Sequence, residues 1–200
     1  MDIHPHRGGL RSWKEFLVDL SMVVLGILIA LGIEQIRTHF HDRRLADDAR
    51  ANFAAEIRLE RIAVTDHRAA LRKVSARIDG YFAAGAPASD TLNDLFLQWQ
   101  FLPTGAWSTA EATQAFSFMR YDEVQLYSNL HALQEISNSF EGKYHELSME
   151  SGAYLGRRNL SPDDKRERDH LLRLINGYAQ SIDQVGQQLL TTFDQVDQHR

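Results

Sequence analysis

The sequence predicts an all-α protein in which one N-terminal transmembrane helix continues into an antiparallel four-helix-bundle-like extramembrane domain. Three observations predict it. Leu20 to Ile33 is an apolar run without a charge, and from Phe16 to Ile33 the only charged residue is Asp19. Beyond it, four segments carry apolar residues at helical, near-heptad spacing. No segment sustains the alternation of a β-strand, and all four prolines (Pro5, Pro87, Pro103, Pro162) lie where the apolar pattern breaks.

The first element is the span, residues 16–36, after a short tail, 1–15. A bilayer core of about 30 Å takes about 20 apolar residues, so the strict run is short and its flanks decide the reading. Trp13 and Lys14 precede it, and His39, Phe40 and His41 follow. At about 1.5 Å per residue, Trp13 to Phe40 covers about 40 Å, close to the core plus headgroups, with aromatic and basic side chains at interfacial depth. The run is apolar on every side, whereas a surface helix of a soluble domain has a polar face. A cleaved signal peptide is the weaker reading, because no small-x-small site bounds the run and the helical pattern continues through Glu34.

Residues 37–200 form the predicted bundle domain. Its first arm, about 37–82, has the inward stripe Phe53, Ile57, Val64, Leu71, Val74, Ile78 and Tyr81. Residues 83–90 read as a turn and Thr91 to Phe101 as a short helix. The second arm, about 107–119, begins with Ser108 and Glu111 at capping-box spacing. The third, about 122–151, opens with Asp122 and Gln125 in the same way and carries Val124, Tyr127, Leu130, Ile136, Phe140, Tyr144 and Leu147. It is expected to stop near Gly152, a left-handed cap candidate. The fourth, about 162–197, has the clearest start. Ser161 can cap it, Pro162 suits its first position, and Asp163 and Asp164 favour the positive end of the helix dipole. Its stripe is Leu171, Leu174, Tyr178, Ile182, Val185, Leu189, Phe193 and Val196. Amphipathic arms joined by short loops most simply pack as an antiparallel bundle.

Composition narrows the function classes. The 200 residues carry a net charge of -5 and no cysteine, and the mean hydropathy is -0.36. One domain beyond the anchor is expected, and it is water-soluble. Thiolate chemistry and a disulfide framework are excluded, and nothing supplies the basic footprint of a nucleic-acid binder. Basic residues outnumber acids over 37–77 and acids prevail from Asp94 onward, which favours placing the membrane-proximal helix near anionic headgroups.

The stretch Arg11 to Gln35, "RSWKEFLVDLSMVVLGILIALGIEQ", resembles the opening of a group of bacterial single-span membrane proteins of unknown function, in which a Trp-Lys-Glu-Phe start leads into the span and then an arginine-rich helix. Ala106 to Leu133 is similar to a second segment of that group. The resemblance is good over Arg11 to Arg61 and weaker thereafter. It implies a single-pass inner-membrane protein with a helical extramembrane domain, and it brings no catalytic residues.

Three constellations stand out. At 100° per residue, Asp19, Gly26, Ala30 and Arg37 fall within about 20° of one line on the span. Gly26 and Ala30 form a small-xxx-small pair that lets another helix approach closely, which predicts a transmembrane packing face for self-association or another membrane protein. The plainer reading is that Asp19 snorkels and that Gly and Ala are common in spans. Glu60 and His67 lie seven apart on the inward stripe, and Tyr127 and His131 of the third arm can face them, which makes a possible polar interior site. The plainer reading is a bundle that tolerates a few hydrogen-bonded polar residues. The nine histidines have no metal-site spacing. His4 and His6, like His39 and His41, are two apart and do not share a helix face. Glu167 and His170 are the one Glu-x-x-His pair, where a di-iron bundle needs two.

No phosphate-binding glycine loop, Gly-x-Ser-x-Gly or His-Glu-x-x-His occurs, so no enzyme, cofactor or metal is expected. The expected function is that of a membrane-anchored structural or accessory interaction module, whose partners are the lipid bilayer and either a second copy or another membrane protein. The alternative is a periplasmic four-helix-bundle ligand sensor. The chain ends at Arg200 without a second span or signalling domain, so a sensor would relay through a partner. Arg7, Arg11 and Lys14 before the span nearly balance Arg37, Arg43, Arg44 and Arg50 after it. A short tail inside and a periplasmic C-terminal domain is the arrangement expected.

Overall fold

The computed structural model describes residues 13–84, 97–98, 100–155, 157 and 159–199. Among these there are helices and no strands. Helix α1 is Trp13–Ala84, α2 is Gly105–Ala112, α3 is Tyr121–Leu155 and α4 is Pro162–Gln198, with a 3₁₀ turn, η1, at Ala115–Phe118. The chain divides into two units, one up to Leu45 and one from Ala46. Residues 1–12 of the expected tail, most of the turn at 83–90 and the start of the helix expected at Thr91 lie outside the described residues, whereas 13–15, also expected in the tail, already belong to α1. Leu97, Gln98, Gln100 and Phe101 are not helical.

In the first unit, α1 carries an 18-residue stretch of mean hydropathy 2.6, none of it buried. Among the described residues it is the one helix long and apolar enough to cross a membrane. Its Ser21 hydroxyl is satisfied locally. The Ser21 hydroxyl donates to the carbonyls of Leu17 (2.8 Å) and Val18 (2.9 Å), as serine does inside apolar helices. Trp13 stacks on Phe16 at the stretch's start, with ring centroids 5.6 Å apart.

The second unit is built on seams. In α1, Phe53, Ile57, Glu60, Val64, Leu71, Val74, Ile78 and Tyr81 are buried, with His67 half-buried among them, at alternating spacings of four and three. In α3 the buried line is Tyr127, Leu130, Gln134, Ser137, Glu141, Tyr144, Ser148, Ser151 and Leu155. In α4 it is Leu172, Ile175, Ala179, Ile182, Gly186, Leu189, Phe193 and Val196. Such a repeat is what left-handed supercoiled packing needs.

Cross-helix pairs fix the directions. Arg50 meets Glu123, Glu60 meets Gln134 and His67 meets Glu141, so α1 and α3 run the same way. Arg61 meets Asp194, Arg68 meets Asp183, Ser75 meets Asn176 and Tyr81 meets Asp169, so α4 runs against them. Three long helices therefore pack here, where four arms in alternating directions were expected. The short α3–α4 connection forces a reversal, whereas the long segment between α1 and α3 lets the chain return and repeat α1's direction.

The second expected arm is the eight-residue α2 followed by η1. Gln114 takes a left-handed conformation, φ 58°, between them and interrupts the helix. The helix starts at Gly105 after Thr104, so Ser108 lies a turn inside it. The Ser108 hydroxyl donates to the Thr104 carbonyl at 3.1 Å. The cap comes from elsewhere: the Glu56 carboxylate of α1 accepts the Ala106 N–H at 2.9 Å. Likewise α3 starts at Tyr121 with Asp122 inside its first turn, and it runs through Gly152 to Leu155. The α4 start is as expected, with Ser161 and Asp164 closing a reciprocal capping box and Pro162 leading the helix. Two stripe residues are misplaced. Ile136 is 43% and Leu174 37% exposed, because the seams pass through Gln134 and Ser137 and through Leu172 and Ile175 instead.

Candidate functional site: a polar seam between α1 and α3

Polar side chains recur every seventh residue where α1 faces α3. Glu60 and His67 on α1 meet Gln134 and Glu141 on α3, layer by layer. The heptad spacing positions them, since residues seven apart return to the same face after two turns.

The first layer is aromatic. Tyr127 stacks on Phe53 with centroids 3.9 Å apart and planes at 11°. Phe116 of η1 lies 6.2 Å from Phe53 and 4.6 Å from Trp107 of α2. Trp107 in turn stacks on His131, centroids 4.6 Å apart and planes at 3°. The buried Nδ1 of His131 has no hydrogen-bond partner among the described residues.

In the second layer Glu60 is 2% exposed. The Gln134 amide donates to both its oxygens, at 2.9 and 3.0 Å. The same nitrogen lies 3.2 Å from the Pro103 carbonyl and 3.5 Å from Glu56 Oε1. Burial pushes the Glu60 carboxyl up to about 8. The Gln134 hydrogen bond works against that shift and the nearby Glu56 charge adds to it. An isolated charge at this depth is costly, and taking up a proton is the cheaper outcome.

The third layer joins His67 Nε2 to Glu141 Oε1 at 2.5 Å, with the carboxylate side chain 2% exposed. Beside it is a cavity of about 10 Å³, lined by His67, Arg68, Gln100, Ser137, Glu141 and Gly186 among others. That is room for about one water molecule. Just outside, Asn138 clamps the backbone of Leu102, accepting its N–H at 2.8 Å and donating to its carbonyl at 2.9 Å. Arg68 crosses α4 at Gly186 and donates through Nε to the Asp183 carboxylate at 2.8 Å. Farther along, burial pushes the Tyr144 phenol above its ordinary range.

The four residues expected to line an interior site thus lie along one seam but in three layers. Glu60 and His67 each engage a different α3 partner, and Tyr127 and His131 belong to the aromatic layer. Gln134, Glu141 and Glu56 were missed. The period of seven from Tyr127 through Gln134 and Glu141 to Ser148 is the signal that marks this face, but an apolar stripe passes over its polar members. Asp19, Gly26, Ala30 and Arg37 are all exposed, and a side chain added at Gly26 meets nothing within 4 Å. Glu167 and His170 are exposed at the start of α4. Among the described residues no three His, Asp or Glu side chains converge to hold a metal ion.

Outside the seam, an open groove of about 390 Å³ runs beside α1 and α2, lined by Asn52, Glu56, Leu59, Pro103 and Thr109 among others. The chain matches no protein-family model, no curated protein and no solved structure.

Proposed function

We propose that this chain is a membrane-anchored helical-bundle protein that acts, without enzymatic activity, as a structural or accessory interaction module. The observation that carries the reading is the apolar stretch of α1, which none of the described residues buries. A core helix of a soluble protein needs protein around it, and an uncovered apolar stretch of this length needs lipid or a partner. In this reading Arg37 onward leaves the bilayer, α2 and η1 stand in for a fourth bundle arm, and the domain lies on the periplasmic side of a bacterial inner membrane. The span's resemblance to single-pass proteins of that membrane supports the placement. The face of Asp19, Gly26, Ala30 and Arg37 is the contact surface for a second copy or another membrane protein.

The groove beside α2 favours a second reading, a ligand sensor that relays through a partner. Its Glu56 carboxylate and exposed Leu59 offer charge and apolar surface together.

The test is alkaline carbonate extraction of membranes from cells making the full chain. The chain is expected to stay in the pellet, and a fragment starting at Ala46 in the supernatant. Full-length protein released by carbonate, or soluble without detergent, would remove the membrane reading.

A further inference from the structure

The Glu60 layer is short of hydrogens. Four oxygens lie within 3.5 Å of the Gln134 amide nitrogen: both of Glu60, one of Glu56 and the Pro103 carbonyl. A carboxamide nitrogen carries two hydrogens. If both glutamates are ionised, two carboxylates share a buried donor that cannot serve them. One additional proton, placed on Glu60, removes a charge and adds an O–H donor.

Glu56 and Gln134 are also what hold α2. Glu56 takes the Ala106 N–H at the helix start, and Gln134 reaches the Pro103 carbonyl just before it. Otherwise α2 and η1 are seated by small side chains, Ala106, Ala110 and Ala115, by Leu102 and by the rings of Trp107 and Phe116. The buried residues of these two elements are alanines alone, so the polar layer has leverage over them.

We propose that the Glu60 proton latches α2 and η1 onto the α1–α3 seam, and that its loss releases them as a cap, uncovering Phe53, Tyr127 and the Gln134 amide. The inference stands apart from the membrane reading and rests on contacts within the second unit.

The charges around the latch come from each neighbouring element. On α1, Glu56 opposes ionisation of Glu60, and His67 is held by Glu141 one heptad on. On α3, His131 stands one turn before Gln134, under Trp107. On α2 the titratable residue is Glu111, which is exposed. On α4, Asp194 and Asp197 are engaged by Arg61. The capped state favours the protonated acid, and the uncapped state restores an ordinary one. Opening therefore increases as pH rises from about 4.5 to about 8 and levels off above, by at most about tenfold per pH unit.

The experiment is hydrogen exchange of residues 105–118 in the full chain in detergent micelles, between pH 5.5 and 7.5, corrected for the intrinsic pH dependence of exchange. The wild type is expected to open progressively more as pH rises, by up to about 100-fold across the two units. Glu60→Gln, which mimics the neutral acid in shape, is expected to lose that dependence. His67 and His131 are present in both proteins, so the difference between the two slopes carries the result. Equal slopes overturn the proposal. If Glu60→Gln does not fold, carbon-13 titration of the wild-type Glu60 carboxyl decides. A midpoint near 8 supports the latch, and one near 4.5 overturns it.

Discussion

Gly186 shows how one small residue serves a distant one. A methyl group at this position meets Arg68 Cδ at 2.7 Å, Cγ at 2.9 Å and Val64 Cγ1 at 3.3 Å. Arg68 cannot simply swing away, because its Nε donates to the Asp183 carboxylate and, at 3.1 Å, to the Asp183 carbonyl. Two effects oppose each other in Gly186→Ala. Alanine improves helix propensity by about 1 kcal/mol, and overpacking a filled seam costs about 1–3 kcal/mol. The clash falls on the middle of a tethered side chain, so net destabilisation of about 1 kcal/mol is expected in chemical denaturation. Combining it with Arg68→Ala should then cost less than the sum of the two single changes. A more stable Gly186→Ala would show that Arg68 moves aside freely. Read from sequence, Gly186 is a weak point in a helix. Its purpose depends on a side chain 118 positions earlier, which no local pattern reports.

Among the elements, helix starts divide by where the capping partner lies. Ser161, Pro162 and Asp164 are within four residues of one another, and the α4 start follows from them alone. The α2 start does not, since its Ala106 N–H is taken by Glu56, fifty residues away. Ser108 and Glu111 had the right spacing but lost to that long-range bond. The apolar stretch of α1 raises the corresponding question about partners. On the proposed packing face, close approach at Gly26 and Ala30 would supply the attraction, because lipid removes the hydrophobic drive between helices. Gly26→Leu is therefore expected to weaken self- or partner association in a membrane two-hybrid or crosslinking assay, and Leu28→Ala, on the opposite side, to leave it unchanged. Asp19→Asn should weaken it less than Gly26→Leu does, since an amide still hydrogen-bonds. Equal association for wild type and Gly26→Leu would reduce the span to a plain anchor.

At the scale of the whole molecule, the apolar positions of the seams carry the fold. Leu71 and Leu189 are fully buried, and each truncation to Ala is expected to cost about 2–5 kcal/mol, measured as loss of stability in the fragment from Ala46. Unchanged melting in both would show that the seams are assigned to the wrong faces. Helical class, the apolar stretch and most core positions were legible because they depend on periodicity, which is a property of neighbouring residues. Ile57, Leu71, Tyr127, Ile182 and Leu189 are buried as their spacing requires, and Phe140 is half-buried. What periodicity cannot carry is pairing. That α3 runs alongside α1 in the same direction, that the second arm shrinks to α2 and η1, and that Glu60 and His67 find Gln134 and Glu141 are all decided by contacts between segments fifty or more residues apart. Burial energy selects a face for each helix by itself. The partner of that face is selected only when the helices meet, because a buried carboxylate or amide is tolerated at one register and costly at every other.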